Sequence, residues 1–290
     1  MNDQEKAGKI ARECLEYGCS LIKPGKNALE ILDKVEEKIY ASGGRPAFPA
    51  QISINNIAAH CVPGKDVKFN EDDVVKLDVG VHVNGLIGDN AKTIIFNNKN
   101  KKLVEASEKA LEEALKIIKP GVKLYEIGEV IDNTIKKHGF QTVKNLSGHL
   151  VEEYEQHAGL TIPNYNNKDK TELKKGMAVA IEPFATTGIG LVEDGKNSEI
   201  YKVIGLKNTR DKNARLVLQF ITKEYKTLPF AKRWVVKEFG EFKANFALRL
   251  LLREGILHEY KHLVEQENGL VSQAEHTVIV DNPLKIITKA

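Results

Sequence analysis

Apolar residues recur along this chain with two distinct periods. Leu103, Ala106, Ala110, Leu111, Ala114, Ile117 and Ile118 mostly fall three or four positions apart, which predicts an amphipathic helix with one buried stripe. Pro120-Gly121 closes that helix, and a second one runs on to His138-Gly139. The same arrangement occurs earlier at an offset of 96 residues. Leu21-Ile22-Lys23-Pro24-Gly25 matches Ile117-Ile118-Lys119-Pro120-Gly121, Glu30-Ile31 matches Glu126-Ile127, and Val35, Ile39 and Gly43 match Ile131, Ile135 and Gly139. A Lys-Pro-Gly turn alone is ordinary punctuation. A whole helix–turn–helix met twice predicts two similar halves about a pseudo-two-fold axis, with a cleft between them.

Each helical pair is followed by an extended stretch, 51–62 in the first half and 141–163 in the second. Alternation of period two then predicts a hairpin built from 74–83 and 86–96. Leu77, Val79, Val81 and Val83 form one face of its first strand, and Lys76, Asp78, Gly80 and His82 form the other. Asn84-Gly85 is the dipeptide that type I′ turns prefer. With a two-residue loop, Gly80 faces Asp89 and Asp78 faces Ala91, so Asp78 and Asp89 become diagonal neighbours about 7–8 Å apart. A three-residue loop would put them on opposite faces. Two further strands are predicted at 177–184 and 274–280. The segment 198–260 is rich in Lys and Arg, has helical periodicity and carries Trp234. It reads as a helical insertion, either walling the cleft or standing as a solvated excursion.

Composition narrows the function classes. The 290 residues suffice for a large core in one domain or a domain with an insertion. A net charge of +3, with no basic stripe interleaved with aromatics, gives no direct nucleic-acid signature. The apolar stretch at 248–252 is interrupted by Arg249, so no membrane span is expected, and the polar N-terminus does not read as a signal peptide. Cys14, Cys19 and Cys61 form neither a disulfide framework nor zinc-finger spacing, so a reduced, cytoplasmic setting is expected. Cys61 adjoins His60, which leaves room for a redox-sensitive thiol.

The candidate chemistry lies in scattered acids and histidines. Taken singly, an Asp in a strand reads as an edge residue, a lone His as structural, and a Glu such as Glu182 or Glu275 as a salt-bridge partner. Together they read differently. Asp78, Asp89, Glu182 and Glu275 with His149 cannot share a buried cleft unless something positive lies between them. Two divalent cations would cancel their formal charge, and a two-metal centre that activates water is a hydrolase centre. Gly148-His149 and His157-Ala158-Gly159 lie eight residues apart, which would set both rings on one side of an extended segment. His60 lies 97 residues before His157, so each half could supply one imidazole.

At these residues the chain resembles the methionine aminopeptidases of the pita-bread fold, in particular the short, archaeal-like type 2 form. The motifs that carry the resemblance are Lys76-Leu77-Asp78-Val79-Gly80, the Asp89 segment, Gly148-His149, His157-Ala158-Gly159, Ile181-Glu182-Pro183-Phe184 and Glu275-His276-Thr277. Ala47-Phe48-Pro49, Ser53-Ile54-Asn55 and Ala58-Ala59-His60 add to it. The resemblance implies an α+β pita-bread fold over 1–290 as one catalytic domain, with a helical, winged-helix-like insertion at 198–260. It implies two divalent metal ions (cobalt, manganese, iron or zinc), with Asp78 on one, His149 and Glu182 on the other, and Asp89 and Glu275 bridging. His60 and His157 would contact substrate at the scissile carbonyl, Glu182 would shuttle a proton, and Phe48 and Tyr260 would wall a methionine pocket. The implied substrate is the N-terminal methionine of nascent polypeptides followed by a small residue. A monomer is expected, and ribosome association is compatible with the role. Asn90, Ala274 and Cys61-Val62 depart from the family pattern at positions that support the ligands. The same five ligands would also serve a prolidase or Xaa-Pro aminopeptidase, whereas a catalytically silent relative that binds ribosomes or RNA would have lost metal ligands, and all five are present here.

Overall fold

The computed structural model describes residues 1–205 and 207–289. The first half opens with helices α1 (Asp3–Leu21) and α2 (Ala28–Ala41). Strands β1 (Arg45–Pro46), β2 (Gln51–Ile54), β3 (Ile57–Ala59), β4 (Val74–Val83) and β5 (Leu86–Ile95) follow. The second half repeats the plan with α3 (Lys101–Ile117) and α4 (Leu124–Lys137), then β6 (Gln141–Thr142), β7 (Ser147–Val151), β8 (Thr161–Pro163), β9 (Ala178–Ile181) and β10 (Phe184–Thr186). Next come β11 (Val192–Val203), α5 (Lys212–Glu224), β12 (Phe230–Ala231), α6 (Lys232–Phe239), α7 (Glu241–Arg253) and β13 (Leu257–Glu265), and then β14 (Val271–Ile279) and β15 (Lys285–Ile286).

The internal repeat holds in backbone detail. Gly25 and Gly121 take φ of 78° and 89°, and Gly43 and Gly139 take 79° and 85°, so the matched glycines make the same left-handed turns in both halves. The N–H of Gly25 donates to Phe69 at 2.8 Å, and that of Gly121 donates to Leu173 at 2.8 Å. Both helix pairs lie on one large sheet whose main path runs β1-β4-β5-β14-β9-β7-β8. Strand β14 is the hinge of this plan, pairing with β5 of the first half and β9 of the second. α1 and α2 bury Ile10, Leu32 and Val35 against Leu77, Val79 and Val81 of β4, while α3 and α4 bury Leu103, Leu111 and Ile131 against Val179, Ile181 and Val278. Each such side chain contributes about 1.5–3 kcal/mol. That burial fixes which face of the sheet meets the helices, and it leaves the polar-bearing face for the cleft.

The hairpin forms in the predicted register. Asn84 and Gly85 both have positive φ, 50° and 92°, as a two-residue type I′ loop requires. Gly80 faces Asp89 and Asp78 faces Ala91. A side chain at Gly80 would force Phe48 to shift, because a Cβ there would lie 2.1 Å from its ring.

The segment at 198–260 is helical only in its middle. Its ends belong to β11 and β13, which pair antiparallel and, with β12 and β3, make a second, four-stranded sheet. The first of those ends also pairs with β12, Ile200 beside Ala231 and Tyr201 beside Phe230, and both residues are buried despite the Lys/Arg content around them. α5, α6 and α7 pack on one another through Val217, Ile221, Val235, Leu248 and Leu251. This unit is tied to the body at buried Glu36, which accepts hydrogen bonds from Arg233 and from the Trp234 ring N–H (2.8 Å).

Candidate metal centre

Strand register brings the acidic residues to one face. Asp78 of β4 and Glu275 of β14 both face Ala91 of β5, so the three form a row across adjacent strands. Asp89 precedes Ala91 by two residues and shares its face. His149 faces Ala180 of β9, which in turn faces Thr277, two residues after Glu275. Glu182 stands one residue beyond the end of β9, where Pro183 interrupts pairing and the register carries it opposite Glu275. Asp78, Asp89, His149, Glu182 and Glu275 therefore project from one face, although they come from four strands and a strand end. Gly148 lets β7 approach β9 closely, since a Cβ on it would meet the Ala180 carbonyl at 2.2 Å.

The side chains meet at a cavity of about 340 Å³ that all five line. Ligand-capable atoms of Asp89, His149 and Glu275 lie within 4.8 Å of one another. His149 Nε2 is 3.5 Å from Glu182 Oε1 and 3.8 Å from Asp89 Oδ2. Asp89 and Glu275 are 1 % and 2 % exposed. No described lysine or arginine pairs with any of the four carboxylates, and Asp78 Oδ1 and Asp89 Oδ1 are buried without a hydrogen-bond partner. Burial, and then the neighbouring acids, hold Asp78, Glu182 and Glu275 well above the usual carboxylate range. Burial lifts Asp89 to about 7. Burial also drives His149 down to about 3, so its imidazole is neutral and free to act as a ligand. Oxygen-rich donors with one neutral imidazole, buried and unneutralised, fit a divalent cation centre.

The other candidates are distributed unevenly. His60 and His157 line the same cavity. His60 is held at φ 58° with its N–H donating to the Gln51 side chain at 2.7 Å, and burial depresses its pKa to about 4. The rings of His149 and His157 are 4.5 Å apart and edge-on. They do not get there along one extended segment. After β7 the chain turns back through Tyr154 (φ 57°) and Gly159 (φ 83°), and β8 pairs antiparallel with β7. The reversal brings His157 to His149, and the even spacing plays no part. Phe48 is 1 % exposed and packs on Gly80 with Ile87, Val151 and Leu228. Tyr260 contacts the His60 ring edge-on at 5.1 Å. Neither is among the described residues lining the cavity, whose apolar wall is instead Leu146, Leu160, Phe184 and Leu263. Cys61 is buried, and burial pushes its thiol up to about 12, which removes the thiolate a redox sensor needs.

Several supporting residues carry no signal in a single-residue reading. The Thr277 hydroxyl accepts from the Asp89 N–H and donates to the Asp89 carbonyl, both at 2.8 Å. Gln273 donates to Glu182 at 3.4 Å, and Gln156 donates to Asp89 at 3.5 Å. The signal that finds Gln273 and Thr277 is period two about Glu275, which puts both on its face.

Buried carboxylates around a neutral imidazole, set on a duplicated α/β frame, define a metal-dependent hydrolase of the pita-bread type. The comparisons agree. A profile of metallopeptidase family M24 matches residues 3–280, and the chain belongs to that family. It is 45% identical over 287 residues to the methionine aminopeptidase of Methanocaldococcus jannaschii, covering 98% of this chain and 97% of that one. A crystal structure of methionine aminopeptidase from Thermotoga maritima superposes with a TM-score of 0.74 at 25% identity, covering 99% of this chain and 96% of the other. A thermophilic Arx1 structure shares the fold with a TM-score of 0.86 at 14% identity, covering 98% of this chain and 89% of that one. None of the described helices is long and apolar enough to cross a membrane.

Proposed function

We propose that this protein removes the N-terminal methionine from newly made polypeptides in the cytoplasm, as a monomer, with preference for a small second residue. The observation that carries the reading is the convergence of four unneutralised carboxylates and a neutral imidazole on one cavity. Relatives named methionine aminopeptidase over nearly the full length support the choice of substrate. Asp78, Asp89, His149, Glu182 and Glu275 would hold two divalent ions drawn from cobalt, manganese, iron and zinc. Bound ions supply Lewis acidity that makes water a competent nucleophile near neutral pH.

The chain's own residues do the rest. Asp78, Asp89 and Glu275 would hold the ions at one end of the cavity, and the free α-amine of the substrate would bind beside them, which explains an exopeptidase. Leu146, Leu160, Phe184 and Leu263 exclude water around the methionine side chain, whose thioether favours aromatic contact. Phe48 packs on Gly80, two residues beyond Asp78 on β4, and Tyr260 sets the His60 ring. His60 and His157 face the scissile carbonyl and stabilise charge growing on its oxygen. Glu182, at the edge of the cluster and raised by burial, carries a proton from the attacking water to the leaving amine.

The test is turnover of a Met-Gly peptide against an Ala-Pro peptide, with and without chelator. Methionine release that is abolished by chelator, by Glu275→Ala and by His157→Ala is the expected result. Preference for Ala-Pro would replace the assignment with a proline-directed peptidase, and unchanged turnover in both variants would overturn the roles given to them.

A further inference from the structure

The reversal that carries His157 to the cavity is gripped from outside by the 198–260 insertion. It turns at 152–155, where the Glu152 N–H donates to the Glu155 carbonyl at 2.9 Å and the Glu155 N–H donates to the Glu152 carbonyl at 3.1 Å. Tyr154 sits in that turn at φ 57°, which a tyrosine seldom adopts unless its surroundings impose it. Past the turn, the Ala158 N–H returns to the Leu150 carbonyl at 2.9 Å. Gln156 and His157 stand between these ties and both line the cavity. His157 is exposed, and among the described residues no hydrogen bond holds its ring, so the backbone of the turn sets where it lies.

The insertion reaches this turn with three polar contacts. Lys202 of β11 forms an ion pair with Glu155, two residues before His157, and the two side chains are 19 % and 33 % exposed. The Thr227 hydroxyl donates to the Tyr154 carbonyl, and the Lys226 ammonium lies 3.6 Å from the centre of the Tyr154 ring. Leu228 is buried with Val151 and Phe48, and Tyr154 packs against them. From the body, the Gly85 carbonyl accepts the Tyr154 N–H at 2.9 Å, and the Tyr154 ring lies so near Gly85 that a Cβ there would fall 2.4 Å from it. The turn is therefore clamped between the β4–β5 loop and the insertion. Lys202 is the one described cation paired with Glu155, and a pair this sheltered holds its geometry better than one in open solvent. We propose that the insertion braces the cleft, with Lys202, acting through Glu155, as a positioning residue for His157. This rests on the role given to His157 in methionine release.

Three variants separate the pair from its separate charges: Lys202→Met, Glu155→Gln, and the double exchange Lys202→Glu with Glu155→Lys. Each single variant is expected to lower kcat for a Met-Gly peptide about 10- to 100-fold, as a small misplacement of a reacting group does, with little change in KM. The double exchange should recover most of that loss, because it rebuilds the pair with its charges reversed. Were Lys202 acting by its own charge on His157 or on substrate, the double exchange would be the slowest of the three. Hydrogen exchange on chelator-treated protein reads the brace without any turnover. The Tyr154 and Ala158 amides should exchange about 10-fold faster in Lys202→Met than in the parent, with the amides of β4 unchanged and protection regained in the double exchange. Faster exchange at these two amides in a protein whose parent form releases no methionine would uphold the brace and sink the aminopeptidase reading. Overturning results are parental kcat in Lys202→Met, a double exchange that recovers neither kcat nor protection, including one that does not fold, or parental exchange at Tyr154 and Ala158 in Lys202→Met.

Discussion

Replacing Asp89 with asparagine should stabilise the metal-free protein while crippling its response to metal. Asp89 is 1 % exposed, and burial lifts its carboxyl from an ordinary 3.8 to about 7. Between those values the folded protein binds more protons than the unfolded chain, so stability falls as pH rises through that window. The accumulated cost above pH 7 is about 4 kcal/mol. Asn keeps the shape and removes the charge, so metal-free Asp89→Asn should melt about 6 °C above the parent at about pH 8, with the gap closing near pH 4. Added manganese should reverse the order, because only the parent has the full set of charges to bind it and gain stability by linkage. Scanning calorimetry of chelator-treated and manganese-loaded protein at both pH values measures this. A metal-free variant that melts below the parent at about pH 8, or equal stabilisation of both by manganese, would refute the electrostatic argument.

Three further outcomes are expected. Thr277→Val removes the hydroxyl that holds both backbone groups of Asp89 and should weaken manganese binding about 10- to 100-fold by calorimetric titration, with parental affinity contradicting that role. Gly80→Ala places a methyl against the Phe48 ring and should cost about 1–3 kcal/mol in denaturant unfolding, where no loss would show that Phe48 yields freely. Manganese affinity should climb with pH through 7, with protons released on binding, because Asp89 titrates at about 7 while His149, at about 3, is already neutral. Titrations in buffers of different ionisation heat report those protons, and a flat affinity from about pH 6 to 8 would contradict the pKa assignment.

Much of the centre is legible in the chain because strand periodicity is short-range. Asn84-Gly85 fixes the loop length, the loop fixes the register, and the register puts Asp78 and Asp89 on one face. The duplicated Lys-Pro-Gly turns mark the two halves for the same local reason. What lies further apart is harder to read. That β14 threads between the halves follows from pairing across more than 180 residues, which no local pattern encodes. The approach of His157 to His149 depends on a chain reversal at Tyr154, a residue with no glycine-like preference for positive φ. The strand ends at 198–203 and 257–260 are masked by charged residues on their exposed faces.

The central claim is that cations hold these acids together, and crystals grown with manganese test it most directly. Anomalous differences at the manganese edge should show two peaks in the cavity, flanked by Asp78, Asp89, His149, Glu182 and Glu275. An empty cavity, or manganese bound away from these five side chains, would contradict the account.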